Sequence, residues 1–187
     1  DYYDIFAVLL AGQGFEFAGW HVEGGDFPDS VHDADGWLIT GSRHGAYEDH
    51  DWIPPLEEFI RTAITENVPM IGVCFGHQIM ADHFGGKAEL AAVGEARGAR
   101  QFDIGSEPRE AYVWHKDQVT KVPPGARVTA SSAYCPVGAL AYDFPAMSVQ
   151  FHPEYNSNIT RDYIEKQADS LRQSGHDANT MVQKRRE

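Results

Sequence analysis

The run Val68-Pro69-Met70-Ile71-Gly72-Val73 is apolar throughout and leads directly into Cys74-Phe75-Gly76-His77-Gln78. A continuous apolar run of this length reads as a strand with both faces covered by helices. The next helix is expected from Gln78 to Phe84, closed by Gly85-Gly86. Between strand and helix stands a cysteine flanked by glycines, a G-x-C-x-G pattern that is the cysteine form of the nucleophile elbow. A sharp strand-to-helix turn puts the nucleophile in strained backbone, and Gly72 and Gly76 let neighbouring chain pass close. The sulfur then lies by a helix N-terminus, where the dipole favours negative charge. The N–H of Phe75, the next residue, is placed to stabilise an oxyanion. A free cysteine is otherwise most often an inert core residue, and the elbow alone leaves that alternative open.

The flanking segments extend the α/β pattern. Tyr2, Phe6, Leu9 and Leu10 fall at helical spacing. Phe15 to Val22 and Gly36 to Thr40 read as strands, the second running into the polar loop Gly41-Ser42-Arg43-His44-Gly45. Pro54 and Pro55 mark a helix start, with Leu56, Phe59, Ile60, Ala63 and Ile64 as its buried stripe. Past Lys87 the texture turns β-rich, with short runs at Arg100–Ile104, Ala111–Trp114, Ala126–Ser131, Val137–Tyr142 and Met147–Phe151. A last helix is expected from Asn158 to about Leu171, and a polar tail from about residue 174. At 187 residues the chain is expected to form one domain over 1–187. It opens Asp1-Tyr2-Tyr3-Asp4 without a methionine, so a first strand of the sheet is expected to precede residue 1. The fold class is α/β, a flavodoxin-like mixed, mostly parallel sheet flanked by helices, with reactive groups at the C-terminal strand edge.

Composition narrows the partners. A net charge of -13 disfavours nucleic acid and anionic membranes, and no apolar run is long enough to span a bilayer. Two cysteines, Cys74 and Cys135, are too few for a disulfide scaffold, which makes the cytoplasm the expected compartment.

A free thiol is only a few per cent thiolate at pH 7, so a nucleophilic cysteine calls for a base. The candidate is His152 in Val149-Gln150-Phe151-His152-Pro153-Glu154, at the end of an apolar strand. Glu154, two residues on past a rigid proline, is suited to orient and stabilise its imidazolium. Taken singly, His-Pro-Glu is as well read as a solvated turn. Together the two motifs fit nucleophilic acyl chemistry.

Gly72-Val73-Cys74-Phe75-Gly76-His77-Gln78 with Phe151-His152-Pro153-Glu154 resembles the class I, or triad, glutamine amidotransferases. The resemblance implies that Cys74 is the nucleophile, His152 the general base and then acid, and Glu154 the orienting carboxylate. The substrate would be glutamine, cleaved at its side-chain amide to ammonia and glutamate. It further implies a second oxyanion N–H from Gly41, in a loop that here reads Gly41-Ser42-Arg43. Gln78 and the segment Trp114-His115-Lys116 would contact the substrate. Asp35 to Ile53, His115 to Val119 and His152 to Asn156 are similar to stand-alone members of the family, among them the plant γ-glutamyl peptidases. That narrower likeness implies the alternative of an autonomous peptidase acting on glutathione-type γ-glutamyl compounds. A third reading is a non-catalytic binding or regulatory relative. An amidotransferase proper would need a separate synthetase or acceptor subunit, since no ATP site is visible.

No cofactor or metal is expected. His44, His50, His77, His83 and His115 show no H-E-x-x-H or CxxC spacing. Gly41 to Gly45 lacks the Gly-Lys-Ser/Thr of a phosphate loop. Tyr47, Glu48, Asp49, Asp51 and Trp52 read as a solvated loop, with a wall of the site entrance as the lesser alternative, and Cys135 as structural.

Overall fold

The helix expected after Pro54 forms as α2 (Ile53–Thr65), with proline in its first turn and Ile53, Leu56, Ile60 and Ala63 buried along one stripe. It ends at Asn67, which takes a left-handed φ of 58° while Val68 N–H closes onto the Ala63 carbonyl at 2.8 Å. The chain then enters β2 (Met70–Val73), turns at Cys74 and starts α3 (Phe75–His83). That helix begins three positions before the expected Gln78, because the whole reversal is made by a single residue. These elements belong to a computed structural model that describes residues 2–105 and 107–156, so the helix expected from Asn158 lies outside the described residues. The chain divides into two compact units, Asp1–His152 and Pro153–Glu187.

In the first unit a seven-stranded mixed sheet runs β1-β2-β9-β8-β7-β4-β5. Its strands are β1 (Trp37–Ile39), β2, β4 (Ala96–Ile104), β5 (Glu107–His115), β7 (Ala126–Ser131), β8 (Ala139–Tyr142) and β9 (Ala146–Val149). The pairs β1·β2 and β2·β9 are parallel, and the remaining pairs are antiparallel. A separate two-stranded ladder joins β3 (Lys87–Leu90) to β6 (Asp117–Lys121). Helix α1 (Tyr2–Leu9) buries Phe6 against Val73, Ala139 and Val149, while α2 and α3 pack on the opposite sheet face through Leu56, Ile60, Met70, Ile79 and Met80. Among the described residues no helix is long and apolar enough to cross a membrane.

Three sequence expectations need correction. The sheet is mixed as expected, but with two parallel pairs and four antiparallel ones it is not mostly parallel, because the strands past Lys87 join it chiefly as antiparallel neighbours. Phe15 to His21 forms no strand, and Val22–Gly24 is a turn of 3₁₀ helix. Phe15 and Phe17 alternate as a strand would, but they are 64% and 37% exposed, so the alternation came without the burial that holds a strand. Nor is β2 covered throughout on both faces. Met70 and Val73 are buried, whereas Ile71 and its neighbour across the ladder, Met147, are 41% and 48% exposed.

Candidate active site

Cys74 has φ 54° and ψ −101°, one of two positive-φ residues other than glycine among those described. A cysteine held there is strained, and the strain persists only because the surroundings over-determine it. On the strand side, Cys74 N–H donates to the Val149 carbonyl at 2.9 Å, continuing the β2·β9 ladder. On the helix side, the Cys74 carbonyl accepts from Gln78 N–H at 3.1 Å. The turn also needs its glycines. A Cβ at Gly72 would lie 2.6 Å from the Gly76 backbone, and one at Gly76 would lie 2.2 Å from the Ile39 carbonyl oxygen. The elbow is therefore wedged against the end of β1, and Gly76 N–H donates to the Thr40 carbonyl at 3.2 Å.

The same ladder carries His152. Val73 pairs with Val149, so Cys74 and His152 leave the sheet from adjacent parallel strands at their C-terminal ends. Strand β5 holds both from the side. The Trp114 carbonyl lies 3.8 Å from Cys74 Sγ, and the Tyr112 carbonyl accepts from His152 N–H at 2.8 Å. His152 and Cys74 are both buried. Gly41, at the exit of β1, is buried as well, and its carbonyl accepts a weak 3.3 Å bond from Thr40 Oγ1. Phe75 opens α3, so its N–H has no carbonyl partner within the helix. Glu154 belongs to the second unit, where it is 3% exposed.

The residues expected to hold substrate divide by what their side chains already do. Gln78 Nε2 donates to the Asp117 carbonyl at 2.9 Å and to Gln150 Oε1 at 3.1 Å, which clamps the turn after β5 onto α3. The His115 ring donates from Nδ1 to that same Asp117 carbonyl and lies 3.5 Å from the Tyr134 hydroxyl. Burial, above all, pushes His115 down to about 4. The Trp114 ring carries the Arg97 guanidinium 4.8 Å over its face, and Arg97 binds Glu95 through Nε and Nη2. Lys116 extends the other way, its Nζ 3.4 Å from Glu48 Oε1. Backbone carbonyls of Trp114 and Asp117 thus face Cys74 and Gln78, while the side chains of Trp114 and His115 serve the framework.

Sequence reasoning missed several supports. His77 is fully buried, with Nε2 donating to the Val137 carbonyl and Nδ1 accepting from the Ser148 hydroxyl at 2.8 Å, which ties α3 to β9. Desolvation holds it down to about 4, so it is neutral at pH 7. Tyr47, read as loop, donates to Asp117 Oδ1 at 2.9 Å. The loop from Gly41 to Trp52 is therefore fastened to the substrate-side turn. Alternation in Val149-Gln150-Phe151 is the one signal by which Gln150 could have been found.

The model of the glutamine amidotransferase class-I family matches residues 25–169, and the chain belongs to that family. It is 30% identical over 181 positions to gamma-glutamyl peptidase 4 of Arabidopsis thaliana, spanning 88% of this chain and 72% of that protein. It is 40% identical over 114 positions to a glutamine-hydrolyzing GMP synthase subunit of Thermococcus kodakarensis, spanning 53% of this chain and 60% of that one. Among solved structures, a glutamine amido transferase from Methylobacillus flagellatus superposes with a TM-score of 0.81 at 25% identity, covering 89% of this chain and 71% of that one.

Proposed function

We propose that the protein is a cysteine hydrolase that cleaves the γ-amide of glutamine through a thioester at Cys74. The observation that carries this reading is the strained Cys74 conformation at the strand end, beside the strand that ends in His152. A buried core cysteine has no need of φ 54° or of glycines packed to backbone contact on either side.

In the proposed reaction His152 takes the thiol proton as Sγ attacks the γ-carbonyl carbon. The N–H groups of Phe75 and Gly41 receive the oxyanion. Collapse of the tetrahedral species breaks the C–N bond, and His152 returns its proton to the departing ammonia. Water, deprotonated by His152, then hydrolyses the thioester to glutamate and free thiol. Glu154 orients the imidazole, an assignment that rests on its place two residues after His152. Gln78 acts by holding the turn after β5, and the Trp114-His115-Lys116 segment offers its backbone to the substrate's amino and carboxylate groups.

A second reading, a γ-glutamyl peptidase with a larger amine as leaving group, is favoured by coverage. The gamma-glutamyl peptidase 4 match spans 88% of this chain, and the GMP synthase matches span between 47% and 77%. The acyl half of the chemistry is identical, and only the leaving amine differs. A glutaminase of the GMP synthase type would also work with a separate synthetase partner.

The test is release of ammonia and glutamate by the purified protein from glutamine, and of glutamate from glutathione or a γ-glutamyl dipeptide, with Cys74→Ala as the blank. Faster turnover of glutamine supports the first reading, and faster turnover of the dipeptide supports the second. Slow turnover of both, with Cys74 still readily alkylated, points to a partner-dependent glutaminase. Unchanged turnover in Cys74→Ala removes the mechanism altogether.

A further inference from the structure

The loop between β1 and α2 folds three potential ligands onto one point. Backbone bonds from Glu48 N–H to the Gly45 carbonyl, 3.1 Å, and from His50 N–H to the Glu48 carbonyl, 3.2 Å, turn the chain tightly. As a result His44 Nδ1 lies 3.2 Å and His50 Nε2 3.0 Å from the same oxygen, Glu48 Oε2. All three donor atoms fall within 4.8 Å of one another. With ligand bonds of about 2.1 Å, the 3.2 and 3.0 Å separations from Glu48 Oε2 correspond to angles of roughly 90–100° at a shared ion.

The rings are held in place from outside. Trp52 stacks on His50, with centroids 5.9 Å apart and planes at 13°, and packs edge-on against His44. His44 N–H donates to Ser42 Oγ, and Ser42 in turn donates to Glu23 at 2.6 Å. Such outer contacts fix ring orientation in metal sites. Hydrogen bonding to one carboxylate needs only one of these histidines.

We propose that His44, Glu48 and His50 form a binding site for a borderline divalent transition ion of the Zn²⁺ class. Two imidazoles and one carboxylate are the donor set such ions select over Mg²⁺ or Ca²⁺, and water completes the coordination. Coordination through His44 Nδ1 places the ring proton on Nε2, so the exposed Arg43 that now donates to Nε2 at 3.2 Å turns away. An ion on Glu48 also neutralises the partner of Lys116. Because Trp52 packs 5.4 Å from Phe75, the ion would stiffen the wall beside the elbow. The site is independent of the proposed hydrolysis, since none of its ligands takes part in that chemistry.

The experiment is calorimetric titration with Zn²⁺ alone, and visible spectroscopy with Co²⁺ alone, on the full chain carrying Cys74→Ala so that the thiol does not compete. One Zn²⁺ per chain is expected, with affinity falling at least tenfold in His44→Ala/His50→Ala. The Co²⁺ ligand-field band should vanish with it. Circular dichroism checks that the double variant is folded. Glu48→Gln, which keeps the shape of the loop, provides a second reading, with weakened binding again expected. Absence of saturable binding in the parent overturns the proposal, as does affinity unchanged in Glu48→Gln or in the folded double variant.

Discussion

Gly76→Ala separates two physical effects of opposite sign. Gly76 lies in the first turn of α3, where alanine is the better helix former by about 1 kcal/mol. If local propensity decided, the variant would be more stable. The structure argues otherwise. The added methyl would sit 2.2 Å from the Ile39 carbonyl oxygen and 2.9 Å from the carbonyl carbon, where ordinary contact begins near 3.4 Å. Backbone, not a flexible side chain, is in the way, so the end of β1 or the start of α3 must move by about 1 Å. Overpacking of that kind costs roughly 1–3 kcal/mol or more, enough to reverse the propensity gain. The move also stretches the 3.2 Å bond from Gly76 N–H to Thr40 and shifts Gly41 relative to Phe75. A misplacement near 1 Å at reacting groups costs about 10²-fold in rate. Urea denaturation should therefore show a loss of about 2 kcal/mol, and kcat/KM on the better γ-glutamyl substrate should fall about a hundredfold. A variant as stable as the parent or more so, with unchanged kcat/KM, would refute the wedge between elbow and β1.

Three further outcomes follow from the buried polar groups. His77 and His115 are each held down to about 4 by burial, against about 6.5 unfolded, so between those values the unfolded chain binds more protons. Stability is thus full above about 6.5 and is lost as pH falls toward 4, by up to about 3 kcal/mol per histidine. Denaturation midpoints at pH 7 and 5 read this, and equal values would contradict it. Iodoacetamide at neutral pH should label Cys74 and spare Cys135, whose thiol burial raises to about 12; peptide mass mapping that finds Cys135 modified in the folded protein would argue against this. Gln78→Ala leaves Gln150 Oε1 without this donor and the Asp117 carbonyl with His115 Nδ1 alone, and should cost about 1–3 kcal/mol in urea denaturation. No loss there would mean the turn after β5 is held by other bonds.

Where local chemistry was decisive, the sequence placed the element and left its role open. The elbow was legible because few other uses exist for a glycine-flanked cysteine between an apolar strand and a helix, and the structure realises it with Cys74 at φ 54°. Helix α2 was legible from its proline start and apolar spacing. His152 was recognisable as a strand-end histidine, because strand ends are where α/β sheets present reactive groups. Alternation failed at Phe15 to His21, since a strand needs burial as well as a pattern.

What required tertiary structure was everything decided by residues far apart in the chain. That Cys74 and His152 leave neighbouring strands follows from the parallel pairing of β2 with β9, 76 positions on at Val73 and Val149. The clamp of Gln78 on Asp117 and Gln150 joins three separate segments, and no spacing rule foretells it. His44, Glu48 and His50 match no helical metal motif, and converge only because turns in the loop bring them together. Motif chemistry is short-ranged and so is written in sequence, whereas register and burial are cooperative properties of the packed chain.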